Sequence, residues 1–180
     1  MIGRHNVYKA LAAFSVGLTA GMAPEDIVAG LRDYEPSAMR QNIVKKDGIT
    51  VIIDCYNASP DSMKASLTVL AGLKNPRRIA VLGDMLELGE KAPEMHRMVG
   101  RFAGEKGIDA VFGYGPHSEQ LLAGAEEKGC PFTKHFSDKK EMAAFLKDYL
   151  KEDDAVLYKA SRGMALEEVL EAVHGIHAGH

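Results

Sequence analysis

The stretch Asp54-Cys55-Tyr56-Asn57-Ala58-Ser59-Pro60-Asp61-Ser62-Met63 decides the fold. It follows the apolar run Ile49 to Ile53, which reads as a buried strand, and its Ser-Pro-Asp reads as a helix opening. Ser59 or Asp61 is the cap, and Met63, Leu67 and Leu70 form the inward face. An acid, an aromatic ring and an amide thus sit where a strand stops and a helix begins. In open α/β sheets that junction is where ligands bind.

Outward from this run, strands and helices alternate. Gln41 to Lys46 and Ile49 to Asp54 are extended runs joined by Asp47-Gly48, a strong hairpin signal. Ile79 to Leu82, Ala110 to Phe112, Thr133 to Phe136 and Ala155 to Tyr158 read as further strands. Pro93 to Lys106, Ser118 to Lys128, Asp138 to Leu150 and Met164 to Val173 read as helices, the first with Met95, Met98, Val99 and Phe102 on its core side. Such repetition predicts an α/β fold, a mostly parallel, doubly wound sheet with helices on both faces. A short helical segment precedes it. Asn6 is the expected cap of a helix over Val7 to Leu18, stopped by Gly21, and Pro24-Glu25-Asp26 opens a second. Tyr34-Glu35-Pro36-Ser37 breaks the pattern, so the expected divisions are 1–36, 37–174 and a frayed tail over 175–180. The histidines near that tail, His174, His177 and His180, read as chance rather than as a metal site.

Composition bounds the function. The chain has 180 residues, 46% hydrophobic and 26% charged, with a formal net charge of -3 and interleaved signs. Without a basic patch no nucleic-acid partner is expected. No apolar run reaches the roughly 18 residues of a membrane span, and no signal pattern opens the chain. Cys55 and Cys130 lack metal-ligand spacing and read as buried small residues in a reduced, cytosolic setting.

Four predicted strands end in polar or Gly-rich loops on one edge: Asp54-Cys-Tyr56-Asn57, Gly83-Asp84 to Gly89, Gly113-Tyr-Gly115-Pro-His117 and Lys159-Ala-Ser161-Arg162-Gly163. Asp54 and Asp84 suit sugar hydroxyls, an adenine amino group or a substrate amine. Ser161 and Arg162 precede a helix start, where an anion is favoured, and Arg grips a carboxylate or phosphate with two hydrogen bonds. Structural readings stand beside these: Asp54 as a turn cap, Asp84 as a turn former, Arg162 as a surface partner of Glu167 or Glu168, and His117 as a helix-start residue. There is no G-x-x-x-x-G-K-[ST] phosphate loop, no complete G-x-G-x-x-G fingerprint and no nucleophile elbow. On spacing alone this is a ligand-binding α/β domain without its own phosphate cradle.

Four motifs resemble the C-terminal part of the Mur ligases: Gly3-Arg4-His5-Asn6-Val7 with Ala10-Leu11-Ala12-Ala13, Asp54 to Met63, Leu82 to Gly89, and Tyr158 to Met164. They are nearest to the members that add D-alanyl-D-alanine to UDP-N-acetylmuramoyl-tripeptide in cell-wall synthesis. Such ligases have three domains, and the resemblance implies that this chain is the third, Rossmann-like and closing, preceded by the helical end (1–36) of the central ATPase domain. Met1 is then expected to begin a fragment or a separately encoded piece. The implied chemistry is amide formation driven by ATP with Mg2+, through an acyl phosphate that the dipeptide amine attacks. The setting is the bacterial cytoplasm, the phosphate loop and metal ligands lie on the central domain, and this chain alone is inactive. Carried over by position, Asn6, Arg40, Asp54, Tyr56 and Asn57 touch the nucleotide, while Asp84, Ser161 and Arg162 face the dipeptide. The other implied partner, the UDP-tripeptide, is held by the other domains. Three positions depart from the pattern: Lys9 stands for an Asn, Ser59 for the second Asn of N-A-N, and Ala160 for the Gly of K-G-S-R. At a positive φ, Ala160 would strain its loop. The alternatives are another Mur ligase or a folylpolyglutamate synthetase relative, and a free-standing, non-catalytic α/β binding module.

Overall fold

The computed structural model describes residues 4–34, 39 and 42–177. They fall into two units, one up to residue 37 and one from residue 38 onward. The first holds α1 (Arg4–Thr19) and α2 (Pro24–Arg32). These pack through Ile27, which fills the space over Gly17: a Cβ there would lie 2.8 Å from Ile27 Cδ1. Asn6 is not the cap that its type predicts. No Gly or Pro separates it from Arg4, so the helix runs on upstream and Asn6 lies buried inside its first turn. Val7, Tyr8, Leu11, Val16 and Leu18 remain exposed.

In the second unit, β1 (Asn42–Lys46) and β2 (Ile49–Asp54) form the predicted antiparallel hairpin. Asp47 and Gly48 take φ of 50° and 76°, the left-handed pair that a two-residue turn requires. Then follow α3 (Pro60–Ala71), β3 (Arg78–Gly83), α4 (Ala92–Glu105), β4 (Ala110–Tyr114), α5 (Ser118–Glu127), β5 (Thr133–Phe136), α6 (Lys139–Tyr149), β6 (Ala155–Lys159) and α7 (Glu167–His174). The sheet order is β1-β2-β6-β3-β4-β5, parallel from β2 onward.

Alternation along the strands divides the core. Val51, Ile53, Val81, Phe112, Val156 and Tyr158 face α6 and α7. Ile52, Ala80, Leu82, Val111 and Leu157 face α3, α4 and α5, with Met63, Leu67 and Leu70 fully buried. Right-handed crossovers produce this split: the chain moves outward from β2 to β5 over one face and returns to β6 over the other. β6 therefore has a topological switch on each side of it.

Two helices differ from expectation. On α4 the buried stripe is His96, Val99, Gly100, Ala103 and Gly104, whereas Met95, Met98 and Phe102 are only half-buried. The glycines explain it: a Cβ on Gly100 or Gly124 would overlap the backbone of the facing helix, so α4 and α5 meet on their smallest residues. The last helix is broken. A 3-10 turn covers Arg162–Met164, Ala165 takes a left-handed φ of 48°, and α7 starts only at Glu167. His174 ends α7. It is 6% exposed, and its Nε2 meets the Tyr158 hydroxyl at 2.9 Å.

Candidate functional site

Register places the predicted residues together. Asp54 pairs with Lys159 across β2 and β6, Leu82 pairs with Lys159 across β6 and β3, and Gly83 pairs with Tyr114 across β3 and β4. The C-terminal ends of four parallel strands thus finish level, on both sides of the β6 switch, where open α/β sheets bind ligands.

Asp54 is held, not merely placed. Its Oδ2 accepts from Lys159 Nζ at 2.6 Å and from Ser66 Oγ at 2.6 Å. The same ammonium donates to the Asn57 carbonyl at 2.8 Å. Lys159 is 1% exposed, and a buried ammonium persists only when its donors are matched this way. Asp54 Oδ1 has no hydrogen-bond partner among the described residues, and the side chain is 12% exposed. The carboxylate therefore commits one oxygen to the protein and leaves the other without a hydrogen bond. Asn57 Oδ1 accepts from the Ala58 amide, fixing the turn that leads to α3. Ser59 caps that helix in a reciprocal box with Ser62, so the residue that departs from N-A-N performs the cap itself.

Tyr56 and Arg162 stand exposed at the mouth of the site, the guanidinium 6.0 Å from the ring centre and touching the Met39 sulfur. The residue expected on the dipeptide side thus lies beside one expected on the nucleotide side. Of the surface partners considered for Arg162, Glu168 pairs with Lys139 at 2.8 Å, and one buried oxygen of Glu167 accepts no hydrogen bond.

On the other side of β6 the loops clasp each other. The Ser161 amide donates to the Asp84 carbonyl at 3.2 Å, and the Leu86 amide donates to Ser161 Oγ at 2.9 Å. Asp84 is 1% exposed, and its Oδ2 accepts from the His117 amide. Gly115, at φ 110°, lets that chain pass close: a Cβ there would lie 2.6 Å from the Asp84 carboxyl carbon. Asp84 is therefore first a fastener between the β3 and β4 loops. Its Oδ1 is buried without a hydrogen-bond partner among the described residues. His96 Nε2 approaches it at 3.8 Å, but the two do not form an ion pair. Nδ1 must carry the ring's proton to reach the Ala92 carbonyl at 2.6 Å, and Nε2 accepts from the Met85 amide at 2.9 Å. The ring is neutral, and burial lowers its pKa further.

Ala160 does not occupy the left-handed region, so the extra methyl creates no backbone strain. It packs instead against the strand pair: a Cβ on Gly83 would lie 2.7 Å from the Ala160 Cβ. Lys9 is exposed on α1. The Cys55 thiol, buried and pushed up to about 12 mainly by desolvation, is an inert core group. Asn6 lies on α1 in the first unit, and Arg40 lies outside the described residues. Sequence reasoning missed Lys159, Ser66 and His96 as members of the network. The signal for Lys159 was a charged residue ending a buried strand level with Asp54. The spacing of Ser62 and Ser66 on one face of α3 was the signal for the other hydroxyl. Among the described residues no cluster of three or more His, Cys, Asp or Glu could hold a metal ion. Nor is any described helix long and apolar enough to cross a membrane.

Residues 39–162 match the family model described as Mur ligase, glutamate ligase domain. Over 177 residues the chain is 38% identical to the UDP-N-acetylmuramoyl-tripeptide–D-alanyl-D-alanine ligase of Bacillus subtilis (strain 168). The match covers 95% of this chain and 38% of that protein, so the chain spans little more than a third of its relative's length. A crystal structure of MurF from Acinetobacter baumannii superposes with a TM-score of 0.87 at 30% identity, over 96% of this chain and 38% of that one. The MurF ligase of Thermotoga maritima in complex with ADP gives 0.75 at 30% identity, over 89% and 35%.

Proposed function

The chain belongs to the Mur ligase family through its glutamate ligase domain, and on that premise we propose that it is the closing domain of a ligase. That ligase joins D-alanyl-D-alanine to UDP-N-acetylmuramoyl-tripeptide, driven by ATP, in peptidoglycan synthesis. The observation that carries the reading is the half-site at the β6 switch. There Asp54 keeps one oxygen without a hydrogen bond at the strand end that leads into Tyr56, whose exposed ring lies 6.0 Å from the Arg162 guanidinium. The 38% identity to a D-alanyl-D-alanine ligase, over a match that covers 95% of the chain, supports the choice of member.

In this reading Asp54 accepts hydroxyls of the nucleotide, and Tyr56 and Asn57 wall the same pocket. Asn6 and Arg40 are assigned to the nucleotide by their position in the family pattern alone. Ser161 keeps its hydroxyl proton free to donate toward the dipeptide, since its oxygen already accepts from Leu86. Arg162 supplies a fixed cation for a carboxylate. The phosphate cradle and Mg2+ ligands are assigned to the central domain. Residues 1–36 are assigned to the end of that central domain, and the exposed apolar side chains of α1 suit a segment covered by further protein. The ADP complex of the Thermotoga maritima ligase supports adenine-nucleotide binding.

Isothermal titration of ATP into this chain tests the half-site. Binding weaker than micromolar is expected, because the phosphate-holding half lies elsewhere. Binding at micromolar affinity or tighter would show a complete nucleotide site and overturn the reading.

A further inference from the structure

We infer that Lys159 is the positioning residue of the nucleotide half-site: its ammonium ties the Asp54 carboxylate and the Asn57 carbonyl into one rigid wall. The inference rests on the nucleotide role proposed for Asp54. Three observations carry it. Lys159 Nζ is shared between the two acceptors at 2.6 and 2.8 Å, so one group sets two positions three residues apart in the turn. Ser66 Oγ donates to the same Asp54 oxygen at 2.6 Å from another element, α3, leaving Oδ1 as the atom without a hydrogen bond among the described residues. Lys159 itself cannot touch a ligand, being 1% exposed and committed to the protein, so its effect must pass through the wall that it holds.

The physical role follows from the turn. Between β2 and α3 the chain must leave the sheet, and the Asn57 carbonyl, at the exposed part of the loop, would otherwise point to water. A buried cation beneath it draws the carbonyl inward and fixes the side of the loop on which Tyr56 stands. Because Lys159 closes β6, the same strand end also carries Ser161, which anchors the β3 loop through Leu86. The end of β6 thereby sets the nucleotide wall on one side and the dipeptide wall on the other.

The test compares this chain with its Lys159→Arg and Lys159→Met variants, and with the charge-neutral pair Asp54→Asn/Lys159→Met as a second route to a folded protein. Amide hydrogen exchange and chemical shifts are followed while ADP is titrated to millimolar concentration. Expected in Lys159→Met is faster exchange at residues 55–58, unchanged protection in β3 and β4, and ADP binding weakened at least tenfold. The Lys159→Arg variant is expected to recover part of that loss, because a cation is kept but with different reach. Should Lys159→Met fail to fold, the neutral pair is expected to fold and to show the same loosened turn. Unaltered exchange at 55–58, or ADP binding within twofold of the wild type in a folded variant, overturns the inference. If the wild type shows no ADP-dependent shifts while the variant's turn loosens, the nucleotide reading fails and the structural tie stands.

Discussion

Gly83→Ala is the substitution to which this site should be most sensitive. Gly83 ends β3 one position past the Leu82–Lys159 pair, so its neighbour across the strands is Ala160. The added methyl carbon would sit 2.7 Å from the Ala160 Cβ, about 1 Å inside normal carbon contact. Neither group can rotate away, because both are Cβ atoms fixed by the backbone. Relief requires β3 and β6 to separate where the Ser161 amide bonds the Asp84 carbonyl. Overpacking of this kind costs about 1–3 kcal/mol, offset by roughly half a kcal/mol from the lower entropy of an unfolded Ala. For a chain of this size about 2 kcal/mol corresponds to a Tm lower by roughly 4–8 °C. The assay is thermal and urea unfolding of the wild type, Gly83→Ala, Ala160→Gly and the double variant. Ala160→Gly alone should cost about 1 kcal/mol for lost burial and added chain freedom. Combined with Gly83→Ala, it should recover most of the Gly83→Ala loss, a coupling of at least about 1 kcal/mol. Additive losses in the double variant would refute the packing argument.

His174 supplies a pH dependence. Its pKa is lowered to about 4, chiefly by burial, against about 6.5 in the unfolded chain. The neutral ring is the folded form, so its contribution is full above pH 6.5 and lost as pH falls toward 4. Between pH 7 and 5 the wild type should lose about 1–2 kcal/mol more stability than His174→Leu; parallel urea curves would contradict this. Ser59→Ala removes the capping box of α3 and should lower stability by about 1 kcal/mol, read as a shifted urea midpoint with unchanged slope. Arg162→Ala, made in a full-length ligase, should raise the KM for D-alanyl-D-alanine on the order of tenfold, the loss of one charge-assisted contact, with the KM for ATP unchanged. A rise confined to ATP would instead assign Arg162 to the nucleotide side, beside Tyr56.

Much of the architecture was legible because its signals are local. The β2 run is apolar throughout, Asp47-Gly48 specifies a tight turn, and Asp138 caps α6 where the pattern starts. The four polar strand ends could be placed on one edge because parallel strands share a direction. What escaped depended on contacts distant in sequence. Lys159 meets Asp54 only after β6 inserts between β2 and β3, a step no local period reveals. On α4 hydrophobicity finds Val99 in the core and Met95 and Phe102 packed against it, but not Gly100 and Gly104, which the helix contact selects by size. Asp84 and Arg162 stand out in the sequence by type and place at a strand end, but their partners do not. One is buried between loops, and the other reaches across to Tyr56.

The central claim is most directly tested by a chimera. This chain replaces the matching stretch of the Bacillus subtilis ligase, and phosphate release is followed with ATP, UDP-N-acetylmuramoyl-tripeptide and D-alanyl-D-alanine. Turnover that requires the dipeptide, and that is lost in the same ligase truncated before the exchanged stretch, is the expected result. A folded chimera that binds ATP and the UDP-tripeptide, yet forms no amide with D-alanyl-D-alanine, would contradict the account.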